Sequence, residues 1–185
     1  MKLLILRHAH SSGNELKLID SSSHKLDFGL SAKGKRQSEE LIPLLGKYKI
    51  DTFIVSPLKR SLETLKPYLG TMPNPKVLVN ELTLERDAGE FTGKGLDAIR
   101  EYCEKNKITD RVSFKPKGGE SILEVHERAK KFLSFLKGRF KDESILICGH
   151  KNFLTCLEIL LKNKDIHDFY SIRELGNGEI REFLL

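Results

Sequence analysis

The 185-residue sequence predicts an α/β fold: three layers (α/β/α), a mostly parallel central sheet with helices on both faces, and a C-terminal antiparallel hairpin at one edge. Two observations predict it. Short apolar runs at 2–7, 52–55 and 144–148 lack the alternation of a half-exposed sheet and read as strands buried on both faces. Between them, apolar residues recur every three or four positions, as on helices with one buried face. Strands that alternate with helices run parallel, because each crossover returns the chain to the same end of the sheet.

The elements follow in order. The first strand, 2–7, ends in Arg7-His8, and a polar stretch rich in Ser and Asp runs from Ser11 to Asp27. Leu30-Ser31 opens a helix capped by Ser31, with Leu41, Leu44, Leu45 and Tyr48 on one face. After the strand at 52–55, Ser56-Pro57 reads as a cap followed by proline at the first helical position, and Leu58, Ser61, Leu62, Leu65, Tyr68 and Leu69 form one stripe. Pro73 and Pro75 break this helix, and 76–79 reads as a further strand. Residues 80–119 are the least regular, with one helix expected near 95–106. Ser121-Ile122-Leu123-Glu124 is a capping box for a helix whose apolar face is Ile122, Val125, Ala129, Phe132, Leu133 and Leu136. The strand at 144–148 is followed by His150 and by a helix carrying Phe153, Leu154, Leu157, Leu160 and Leu161. Segments 169–175 and 179–184 flank Gly176-Asn177-Gly178 and read as the edge hairpin.

Residues 1–185 are expected to form one domain, long enough to bury a core without disulfides. Cys103, Cys148 and Cys156 are odd in number and lack CxxC spacing, so they read as buried thiols of a cytoplasmic protein. The opening apolar run is too short for a secretory signal, and no run approaches a membrane span, so no membrane partner is expected. Lys plus Arg number 32 against 26 Asp plus Glu, and the net charge of +6 favours an anionic partner. The lysines are scattered without interleaved aromatic residues, so no nucleic-acid partner is expected.

In a parallel sheet ligands bind beyond the carboxyl ends of the strands. There the topology gathers Arg7-His8, Ser56 to Arg60, and Gly149-His150. Two histidines and two arginines suit transfer of a dianionic phosphoryl group, whose oxygens match guanidinium forks. Arg60, expected off the apolar stripe in the first turn of its helix, would add to the positive end of the helix dipole. His8 is the candidate nucleophile, since a neutral imidazole in line with phosphorus can attack it and nearby cations keep the ring unprotonated. The leaving oxygen needs a proton. A carboxylic acid could supply it and then, ionised, activate the water that cleaves a phosphohistidine; Glu81, Glu85, Asp87 and Glu90 all qualify chemically. His8, His10 and His150 also invite a metal reading, but no Asp lies beside the first two, and no metal is expected.

Six short motifs then appear in one order. Arg7-His8-Ala9-His10-Ser11-Ser12-Gly13-Asn14 resembles the R-H-G-E-[ST]-x-x-N signature of the histidine phosphatase superfamily, which includes the cofactor-dependent phosphoglycerate mutases. Leu30-Ser31-Ala32-Lys33-Gly34 resembles L-[ST]-x-x-G, and Ser56 to Thr64 resembles S-P-L-x-R-[AS]-x-x-T. Leu84-Glu85 with Gly89 and Gly93, Gly118-Gly119-Glu120-Ser121 with Arg128, and Gly149-His150 complete the series over nearly the whole chain. The resemblance implies that His8 is phosphorylated, Arg7 and Arg60 clamp the phosphoryl group, His150 stabilises it, Glu85 is the proton donor and Asn14 touches the phosphate. It implies no cofactor and a small phosphorylated substrate. It also implies a substrate-covering cap, short here, at about 93–119. Ala9, His10, Gly149 and Lys151 depart from the family pattern and bear on substrate preference. The expected function is a metal-independent phosphomonoesterase; the alternatives are a phosphoglycerate mutase and a catalytically weak phosphate-binding module.

Overall fold

The computed structural model describes residues 1–22 and 26–185; Ser23, His24 and Lys25, part of the polar stretch, lie outside the described residues. Five strands form one sheet: β1 (Lys2–Arg7), β2 (Thr52–Val55), β3 (Val77–Val79), β4 (Ser144–Gly149) and β5 (Ile180–Leu184), in the order β3-β2-β4-β1-β5. The pairs β1/β4, β4/β2 and β2/β3 are parallel, and β5 alone runs antiparallel, against β1. The helices are α1 (Ser12–Glu15), α2 (Ala32–Leu45), α3 (Lys59–Leu69), α4 (Ala98–Lys105), α5 (Ile122–Arg139) and α6 (Lys151–Leu161). None of the described helices is long and apolar enough to cross a membrane.

Side chains of β1 alternate between two cores, because successive residues of a strand face opposite sides. Leu3 and Ile5 pack with Val125, Phe132 and Leu157 of α5 and α6. Leu4 and Leu6 pack with Leu41, Leu45, Leu65 and Tyr68 of α2 and α3. The sheet is thus covered on both faces, as its unbroken apolar strands require.

Several elements depart from the expectation. The antiparallel edge is present, but its partner is β1: residues Ile166–Ser171 form a 3-10 helix, so the expected first arm of the hairpin is not a strand. Leu44 and Leu62 are exposed. The buried stripe of α2 is instead Gly34, Ser38, Leu41 and Leu45, and that of α3 is Arg60, Ser61, Thr64, Leu65 and Tyr68. Small and polar residues thus replace leucine where these helices meet the strand ends. Helix α3 starts two residues later than expected, with Leu58 at its N-cap, and the Ser56 hydroxyl accepts only a long 3.5 Å contact from the Leu58 N–H.

Candidate active site

The parallel register brings the site together. Leu6 and Val55 both pair with Cys148, and Arg7 pairs with Gly149, so β1 and β4 end level and β2 ends one residue short of them. The chain continues from those ends as His8, His150 and Ser56. His8 N–H donates to the Gly149 carbonyl at 3.0 Å, Ser56 N–H donates to the Cys148 carbonyl at 3.0 Å, and the two imidazole centroids lie 5.2 Å apart.

The His8 ring is buried, with Nδ1 2.7 Å from the Ala9 carbonyl. A carbonyl only accepts, so Nδ1 carries the proton and Nε2 keeps its lone pair. Burial, followed by the charges of Arg60 and Arg7, holds the His8 pKa well below the usual histidine value. His150 is equally buried. Its Nδ1 accepts from Arg60 Nε at 3.2 Å, so its proton sits on Nε2, which donates to Ser56 Oγ at 2.7 Å with Ser61 Oγ 3.3 Å away. Its pKa is also held well below the usual value, by burial, then Arg60 and His8.

A cavity of about 410 Å³ opens on this cluster, lined among others by Arg7, His8, Asn14, Asp20 and Glu85. Arg7 Nη1 donates to the Leu175 carbonyl at 2.7 Å, while its buried Nε has no partner among the described residues. A buried, unpaired guanidinium donor is costly by itself and suits an incoming anion. Asn14 Oδ1 accepts from Ser11 N–H and from Asn177 Nδ2, each at 3.1 Å, which leaves the Asn14 amide N–H groups as donors for a ligand. Glu85 is nearly buried; its carboxylate accepts from the Arg86 N–H at 2.7 Å and from the Asn152 N–H, in the first turn of α6, at 3.2 Å.

Arg60 differs most from expectation. It lies on the buried face of α3, not off the stripe, and Asp20 engages it: Nη1 meets Asp20 Oδ1 at 2.9 Å and Nη2 the Asp20 carbonyl at 3.2 Å. Neither Arg60 nor His150 lines the cavity. Lys151 is paired with Glu174 at 2.9 Å. Ala9 is fully buried and does not line the cavity. Among the described residues no three His, Cys, Asp or Glu side chains are grouped to hold a metal ion.

Each sequence motif has a physical role around this cluster. Ser31 Oγ lies 2.9 Å from His10 Nδ1 and caps α2, and Gly34 is where α2 touches the His10 carbonyl. Thr64 Oγ1 accepts from the Ala9 N–H at 2.9 Å and donates to the Arg60 carbonyl at 2.6 Å, tying β1's end to α3. Arg128 gathers the carbonyls of Leu82, Leu84 and Glu85 and the Glu120 carboxylate, which fixes the chain on both sides of Glu85. Gly89 has φ +53°, and a Cβ there would meet the Lys117 carbonyl at 2.3 Å, so only glycine lets the two loops abut.

Sequence reasoning missed Asp20, Asn177 and the role of Ser56. Asn177 looked like a turn residue, yet its Nδ2 also donates to the His8 carbonyl at 3.0 Å. Asp20 lay in a polar stretch without periodicity, and only the 40-residue contact with Arg60 marks it.

Beyond the ends of β1, β4 and β2 lie two buried histidines and Arg7, with Arg60 from α3 and Glu85 from the loop after β3 beside them, an arrangement that suits an anionic phosphoryl group. The chain belongs to the histidine phosphatase superfamily (branch 1), whose family model matches residues 3–184. It is 27% identical over 174 residues to phosphoserine phosphatase 1 of Hydrogenobacter thermophilus, covering 92% of this chain and 81% of that protein. It is 26% identical over 161 residues to phosphoglycerate mutase-like protein 4 of Arabidopsis thaliana, covering 84% and 69%. A mycobacterial glucosyl-3-phosphoglycerate phosphatase solved as a complex with VO3 shares the fold, with a TM-score of 0.82 at 21% identity, over 98% of this chain and 91% of that one. The expected fold class and the reading of the chain as a phosphatase enzyme stand on these findings.

Proposed function

We propose that the protein is a phosphomonoesterase that works through a phosphohistidine on His8 and releases orthophosphate from a small phosphorylated substrate. The observation that carries this is the Ala9 carbonyl, which holds the His8 proton on Nδ1 and aims an unprotonated Nε2 at the ligand. In the first step Nε2 attacks phosphorus in line and the ester P–O bond breaks, while Glu85 gives a proton to the leaving oxygen. In the second, Glu85 as carboxylate takes a proton from water, whose oxygen attacks phosphorus and breaks the P–N bond. Arg7 Nε and the Asn14 amide hold phosphoryl oxygens. Arg60 joins them once its fork is released, oriented by His150. Phosphatases among the relatives support this reading, and segment 93–119, which supplies Leu96, Ile99 and Arg111 to the cavity wall, serves as its short cap. Three buried, unpaired thiols support a reducing, cytoplasmic setting.

The test is turnover of 4-nitrophenyl phosphate in EDTA, with acid-labile, base-stable protein-bound phosphate trapped by rapid quench. Wild type should give both. His8→Ala should lose turnover by about a thousandfold or more and give no adduct; full turnover in that variant sinks the reading. Incubation with 3-phosphoglycerate separates hydrolysis from mutase action, because a mutase would isomerise it without net phosphate release.

A further inference from the structure

Asp20 stands between the cavity and the inner half of the site. Its Oδ1 accepts from Arg60 Nη1 at 2.9 Å, its carbonyl from Nη2 at 3.2 Å and its Oδ2 from Ser11 Oγ at 3.3 Å. With Nε on His150, each nitrogen of the Arg60 guanidinium is engaged. The Asp20 and Arg60 side chains are only 6% and 1% exposed, and Asp20, not Arg60, lines the cavity. A carboxylate offers a guanidinium the same kind of oxygen contact that a phosphoryl group does.

Building on the phosphatase reading above, we propose that Asp20 is a resident competitor for the phosphoryl subsite: its carboxylate occupies Arg60 until the substrate's phosphoryl group displaces it. The charges facing Asp20 come from three segments. Arg60 on α3 attracts it, while Glu85, from the loop after β3, and Asp27, on its own segment 3.9 Å from Arg60, repel it. Burial is the largest influence and, with those two carboxylates, pushes the Asp20 pKa up to about 6 against the pull of Arg60 and of the Ser11 hydrogen bond. Mild acid therefore neutralises the competitor and frees Arg60 for the ligand.

The test is calorimetric binding of orthophosphate to wild type, Asp20→Asn and Asp20→Ala between pH 5 and pH 8. Orthophosphate changes its own charge over this interval for all three proteins alike, so the readout is the ratio of dissociation constants. At pH 8 the variants should bind about tenfold tighter than wild type, and the ratio should approach one at pH 5, where wild-type Asp20 is protonated. Where a variant is too unstable for calorimetry, the rise in Tm on adding phosphate reads the same affinity and should be larger than in wild type. Equal affinities at pH 8, or weaker binding in both variants, overturn the proposal. If phosphate binds and His8→Ala abolishes turnover while the ratio stays at one, only the competitor idea falls. If none of the three proteins binds phosphate, the competitor proposal falls, while the phosphatase reading is judged separately by turnover of 4-nitrophenyl phosphate and its loss in His8→Ala.

Discussion

At the scale of single residues, the site is decided by which ring nitrogen of each histidine holds a proton. His8 is fixed by a backbone carbonyl, which no tautomer can turn into a donor. His150 is fixed less firmly, because its proton donates to the Ser56 hydroxyl and its Nδ1 lone pair must stay open for Arg60 Nε. Removing the Ser56 hydroxyl leaves Ser61 Oγ, at 3.3 Å, as the remaining acceptor. The proton then shifts part of the time to Nδ1, where it opposes the Arg60 N–H. Ser56→Ala is therefore expected to cost about 1–2 kcal/mol of stability, within the range for a buried donor that loses its partner. It should lower kcat/KM about tenfold through a loosened Arg60, roughly the same energy seen at the transition state. Urea unfolding and steady-state kinetics measure the two effects, and ¹⁵N shifts of the His150 ring report the tautomer directly. An unchanged ring spectrum with unchanged kinetics would mean that Ser56 merely fills space.

At the scale of elements, helix α2 acts as a brace for the loop that carries His8. Its core face is anchored by Leu41 and Leu45, both buried, each contributing about 1.5–3 kcal/mol by burial, so the helix is the stiffer partner. At its other end a Cβ on Gly34 would come within 2.0 Å of the His10 carbonyl oxygen, so in Gly34→Ala the loop has to yield. That substitution should cost about 1–3 kcal/mol of stability as overpacking, yet kcat/KM should fall about a hundredfold, since a displacement near 1 Å is enough for such a loss. A variant with near wild-type kinetics would show that the loop absorbs the strain without moving His8. Much of this architecture was legible in the sequence because its signals are local: alternation-free strands, helical spacing, the Ser31 cap and the Ser121 capping box. The strand ends could be placed side by side from topology, which brought Arg7, His8 and His150 together before any coordinate. What escaped depends on contacts between distant segments. Ser56 beside Pro57 looks like a helix cap until His150, 94 residues away, takes its hydroxyl. Leu175 and Asn177 looked like parts of a hairpin, but they serve Arg7 and His8 across more than 160 residues. The buried position of Arg60 escaped for the same reason, since only its distant partners make a charge on the inner face of α3 tolerable.

At the scale of the whole molecule, the buried charges make folding stability depend on pH in a way that separates the histidines from Asp20. His8 and His150 are neutral when folded, with pKa values well below the usual 6.5, and regain ordinary values when the chain unfolds. Below pH 6.5 the unfolded chain therefore binds protons that the folded one does not, and stability falls with acid, by up to about 1.4 kcal/mol per pH unit for each histidine. Asp20 has the opposite sign. Its value is about 6 when folded against 3.8 as the ordinary reference, so between those limits the folded chain holds a proton that the unfolded chain has lost. Acid then stabilises the fold by up to about 1.4 kcal/mol per unit over this window, cancelling one histidine. Together these three groups contribute a steep loss just below pH 6.5 that eases to about the slope of a single histidine between pH 6 and pH 4, with His10, His126 and the lowered carboxyls adding to the loss in every variant alike. Asp20→Asn removes the cancelling group and should lose stability more steeply below pH 6, while His8→Asn should be shallower than wild type over the same range. Urea unfolding at half-unit pH steps measures all three slopes. Parallel curves for wild type and Asp20→Asn would mean that Asp20 is ionised throughout this interval in both states, so that mild acid does not free Arg60.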